Sequence, residues 1–133
     1  MKSRTVLVLS AAVLVAGGAF VFAKSKKVKK EVKPRYTIEQ VMKQAHKKKL
    51  VDKVIDGKAS QEEKEKLLDL YLALWNNKPP RGDLQSWKNK TGDVIVAAAR
   101  VVLNEDGALE QLDQATDCRA CHNVHRPKKK RRR

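Results

Sequence analysis

Apolar residues recur along the chain at three- and four-residue intervals, and no stretch alternates with period two for long enough to make a strand. Ile38, Val41, Met42 and Ala45, followed by Val51, Val54 and Ile55, predict a first helix from about Thr37 toward Ile55. Thr37 and Gln40 have the spacing of a capping box, and Gly57 ends the segment. Lys47-Lys48-Lys49 interrupts the apolar phase, as a solvated face or a local break. A second capping box, Ser60 with Glu63, opens a helix whose stripe runs Leu67, Leu68, Leu70, Tyr71, Leu74 and Trp75. The turn Asn76-Asn77-Lys78-Pro79-Pro80-Arg81-Gly82 stops it. Asp83 is the expected N-cap of a third helix, which holds one phase from Leu84 through Trp87, Thr91, Val94, Ile95, Ala98 and Val101 to Val102. Gly92 lies inside it and costs ~1 kcal/mol relative to Ala, so a weakened or kinked helix is expected there. After the turn Asn104-Glu105-Asp106-Gly107, the residues Ala108, Leu109, Leu112 and Ala115 lead to Cys118, Cys121 and His122 on the last turns of a fourth helix. Four helices with short connections predict an all-α, antiparallel four-helix bundle.

Charge separates the arms from the domain. The formal net charge is +15, yet residues 36–125 carry fourteen basic and fourteen acidic side chains. The excess lies in residues 24–35, with seven basic residues and one acid, and in residues 126–133, with seven basic residues and none. Dense like-charge runs stay solvated more often than they pack. The expected organisation is an address at residues 1–23, a basic linker at 24–35, a helical domain at 36–126 and a basic tail at 127–133. The address consists of a basic start, Met1-Lys2-Ser3-Arg4, and an uncharged run of eighteen residues at 6–23. It reads as a cleaved signal peptide or an uncleaved membrane anchor, because ~20 apolar residues span a bilayer. Either reading places the domain in the periplasm or elsewhere outside the cytoplasm. Export also takes the basic tail away from nucleic acid, and the tail lacks interleaved aromatics; acidic proteins or an anionic membrane surface are its expected partners. No Ser/His/Asp set, paired-carboxylate site or phosphate-binding glycine loop is recognisable, so the chain is not expected to be an enzyme.

The candidate chemistry is concentrated near the C-terminal end. Cys118-Arg119-Ala120-Cys121-His122 has the form C-x-x-C-H, the signature for covalent attachment of a c-type haem, and it contains both cysteines of the chain. Two thiols three residues apart lie on one side of a helical turn and can form thioethers to the two vinyl groups of one porphyrin. His122 then presents a ring nitrogen to the iron. A zinc site made of Cys118, Cys121, His122 and His125 would place every ligand on one continuous segment, whereas structural zinc sites draw on two.

Four helices with C-x-x-C-H on the last of them resemble the cytochrome c′ and cytochrome c-556 group over residues 36–126. That family commonly continues the motif with an aromatic and then a basic residue; here His125 stands for the aromatic and Arg126 is the basic residue. The resemblance implies one haem c inside the bundle, its distal side facing the first helix, with Met42 as candidate distal iron ligand. His46, at i+4 from Met42 and beside Lys47, is expected to be exposed and the lesser candidate. His125 is expected near a propionate or solvent. Arg126, with Arg119 and Lys88, offers a propionate contact, and Trp75 and Trp87 are expected as core residues lining the haem pocket. A methionine-ligated iron implies an exported mono-haem electron carrier that meets redox partner proteins. An open sixth position implies a five-coordinate protein binding NO or CO. A non-redox protein using the basic arms on polyanions or membranes is the reading from another class, and a homodimer is an allowed assembly.

Overall fold

The computed structural model describes residues 33–128. The apolar run at 6–23, most of the basic linker and the end of the basic tail lie outside the described residues. Among the described residues the chain is mostly helical and has no strand. The helices are α1 (Ile38–Val41), which passes directly into a π-helical segment (Met42–Lys47), then α2 (Leu50–Ile55), α3 (Gln61–Asn76), α4 (Leu84–Val102), α5 (Ala108–Ala115) and α6 (Cys118–His125). No helix among the described residues is long and apolar enough to cross a membrane.

The start signals act where the spacing placed them. Thr37 Oγ1 accepts from the Gln40 amide while the Gln40 side chain accepts from the Thr37 amide, and Ser60 and Glu63 repeat the arrangement. Asp83 caps α4 by accepting from the amides of Gln85 and Ser86. Each such cap satisfies amides that have no partner within the helix and contributes about 1 kcal/mol.

The single first helix does not form as expected. Its apolar phase is interrupted by a π-helical turn, and Lys49, at φ +59°, adopts the left-handed conformation that separates this turn from α2. Three consecutive lysines contribute no apolar side chain to hold the helix down across residues 47–49, so the break falls there. α4, in contrast, runs unbroken through Gly92. A Cβ at residue 92 would sit 3.1 Å from Cζ3 of Trp75, so the glycine admits close approach of the α3 tryptophan rather than a kink.

α3 and α4 pack along their lengths and run antiparallel. The α3 start meets the α4 end through Gln61 Nε2, which donates to the Val102 carbonyl at 3.0 Å. At the other end Lys88 Nζ donates to the Trp75 carbonyl and lies over the Trp75 ring, 4.4 Å from its centroid. α5 returns along α4, joined by Arg100 donating to Gln111 Oε1. Val41, Ala45 and Val54 from the first segment, Leu67, Leu70, Tyr71 and Leu74 from α3, Ala97, Ala98 and Val101 from α4, and Leu112 from α5 form one buried core. Removing side chains such as Leu70 from water stabilises the fold by roughly 1.5–3 kcal/mol each.

Candidate functional site

The segment carrying the two cysteines is set apart from α5 by a local break. Thr116 leaves the helical region and its hydroxyl donates back to the Leu112 carbonyl at 2.8 Å. Asp117 then caps a new helix, its carboxylate accepting from the Arg119 amide at 2.8 Å. Threonine and aspartate satisfy backbone groups with their own side chains, which suits helix ends rather than interiors. The motif therefore opens a separate helix, α6, instead of closing a continuous fourth one. That re-aims Cys118, Cys121 and His122.

All three line a single mostly apolar cavity of about 440 Å³. Cofactor and small-molecule sites occupy roughly 300–1,000 Å³. The opposite wall carries Met42 and His46 from the π-helical segment, and Tyr71 and Leu74 come from α3. Lys47 and Lys90 are the cations on the lining. Arg126 is exposed beyond the end of α6 and is not on the lining, nor are Arg119 and Lys88. Helix α6 ends at His125 and the chain turns extended at Arg126.

The two cysteines are free thiols, Cys118 exposed and Cys121 half-buried. Burial pushes the Cys121 thiol above its ordinary pKa, opposed by nearby Lys90 and reinforced by Cys118. A raised thiol pKa disfavours the thiolate that disulfide exchange requires. His46 is half-buried rather than exposed, contrary to expectation; burial lowers its pKa, the charge of His122 lowers it further and Asp52 opposes both. Its ring lies 6.1 Å from that of Tyr71. The Tyr71 side chain is 2% exposed, its hydroxyl has no hydrogen-bond partner, and burial raises its pKa.

His125 departs most from the sequence-based reading. It is 2% exposed and turns away from the cavity, into the Asn77–Asp83 connection. Nδ1 lies 2.9 Å from the Arg81 carbonyl, which can only accept, so Nδ1 carries the proton and Nε2 accepts from Ser86 Oγ at 3.2 Å. The ring stands edge-on to Trp87, centroids 5.3 Å apart. Arg81 completes the clamp by donating Nε to the Val124 carbonyl at 2.8 Å and its guanidinium to the Asn123 carbonyl. His125 is consequently unavailable to a zinc set with Cys118, Cys121 and His122, and no cluster of three or more His, Cys, Asp or Glu among the described residues is arranged to hold a metal ion. Trp87 faces His125 and Trp75 faces Gly92; neither lines the cavity.

The residues present fit a haem c. An apolar cavity of this size carries two thiols and one histidine on one wall and, on the other, a thioether and an imidazole, the donor types that ligate haem iron. The orphaned Tyr71 hydroxyl marks a polar position on the lining that the protein itself does not satisfy. Comparison with protein-family models, with curated proteins and with solved structures returns no match.

Proposed function

We propose that this chain is an exported mono-haem c-type cytochrome that carries electrons. The observation that supports it most is the convergence of Cys118, Cys121 and His122 on one apolar cavity whose facing wall offers Met42 and His46. In this reading Cys118 and Cys121 anchor the porphyrin through thioethers and His122 is the proximal ligand. The segment 38–55, α3, α4 and the segment 108–125 act as the four arms of a bundle that encloses the group, as in the cytochromes c′ and c-556. Haem c held there supplies one-electron exchange between Fe(III) and Fe(II). Leu74 and Tyr71 would exclude water from the group, and Cys118, Cys121 and His122 on α6, with a donor on the π-helical segment, would hold it.

Lys47 and Lys90 stand at the cavity, and the neighbouring Lys43, Lys48 and Lys49 are exposed. Cations around the site favour an acidic redox partner and speed its encounter at low salt. The test is expression of the full chain with a c-type maturation system. The expected product has its mass increased by one haem that survives denaturation, and it shows distinct ferric and ferrous spectra. A chain that matures in this system without covalent haem overturns the reading. A ferric protein that is fully high-spin would move the function to the five-coordinate, gas-binding alternative.

A further inference from the structure

Two side chains on the cavity wall opposite α6 can donate to iron, and the fold treats them differently. Met42 is half-buried and packs against the apolar core. A thioether fills such a place without needing a polar partner. His46 is also half-buried, yet its ring makes no hydrogen bond among the described residues; its recorded neighbour is the Tyr71 ring at 6.1 Å. A half-buried imidazole on a mostly apolar lining, with no described side chain or backbone group using its lone pair, keeps that lone pair available to a bound group. His46, on the π-helical segment, and His122, on α6, line the same cavity, so both imidazoles border the space that one bound group would occupy. The π-helical turn that presents His46 points the same way, since such turns are frequent at functional sites.

We infer that His46 is the second axial ligand, so that iron in this cavity is held between His122 and His46 while Met42 remains a packing residue. The assignment rests on the haem reading above. Neutral imidazole donates its lone pair to the iron, and no other bond is made or broken. Bis-histidine ligation gives a lower potential than histidine–methionine ligation.

The test uses the full-length, haem-loaded chain and three variants, read by ferric optical and electron paramagnetic resonance spectra. The wild type is expected to be low-spin without the iron–thioether charge-transfer band, and Met42→Leu is expected to leave the spectra unchanged. His46→Ala should convert the iron to high-spin, with added imidazole restoring the low-spin form. His46→Met should introduce the thioether band and raise the potential. A thioether band in the wild type that Met42→Leu abolishes overturns the assignment, as does a high-spin wild type or a His46→Ala protein with wild-type spectra. Should His46→Ala fail to fold, the wild-type and Met42→Leu spectra still decide between the two ligands. Mass separates this failure from that of the haem reading: a haem-loaded chain with methionine signatures overturns the ligand alone, and a chain matured without haem overturns both.

Discussion

His122 and His125 are three residues apart on one eight-residue helix, and the fold uses them in opposite ways. His122 is exposed on the cavity wall, with no packing that fixes its ring. His125 is buried, has both ring nitrogens engaged, and stacks edge-on against Trp87. One histidine is left exposed at the cavity while the other docks α6. A helix of only eight residues is not stable by itself in water. Its position has to come from tertiary contacts, and the clamp of Arg81, Ser86 and Trp87 around His125 provides them.

That division of labour can be broken most strongly at the buried member. His125→Ala leaves a cavity beside Trp87 and strands the Ser86 hydroxyl, and is expected to cost about 2–4 kcal/mol of unfolding free energy. His122→Ala should instead change the iron spectrum while leaving the Arg81–Val124 and Arg81–Asn123 contacts in place. Denaturant titrations and ferric spectra of the two haem-loaded variants should give this crossed pattern; equal loss of stability from both would refute it. Gly82 supplies a second way in. It sits at φ +79°, and a Cβ there would come 2.8 Å from His125 Nδ1 and 3.1 Å from Val124 Cγ1. Gly82→Ala is expected to destabilise by roughly 1–3 kcal/mol, from left-handed strain plus displacement of the clamp. The chemical end of α6 is governed by its cap instead: Asp117→Ala should cost about 1 kcal/mol in the same titration, and Asp117→Asn much less. Ser86→Ala removes one hydrogen bond from His125 and is the mildest change, at about 0.5–1.5 kcal/mol.

The cavity's far wall shows why some of the site was legible in advance and some was not. Met42 was placed on the apolar face by periodicity alone, and it does line the cavity. The neighbouring Lys47 suggests that His46 faces solvent, yet on the π-helical turn it is half-buried, with its ring 6.1 Å from that of Tyr71. The i+4 relation to Met42 was the available signal, since residues four apart share a helical face. Lys90 had no such signal: it lies on α4, and only the return of α5 and α6 brings it to the same cavity.

Short-range rules therefore determined the all-helical class, the capping boxes at Thr37 and Ser60, the N-cap at Asp83, the turns at Asn77–Gly82 and Asn104–Gly107, and the C-x-x-C-H spacing. Each depends on residues a few positions apart, where backbone geometry dictates which groups can meet. The tertiary structure decided the inward turn of His46, the burial of His125 and the exclusion of Arg126 from the cavity lining. His125 meets Arg81 and Ser86 across 44 and 39 residues of sequence. Burial at that separation is set by which helices pack together, and a local pattern of polar and apolar positions does not contain it.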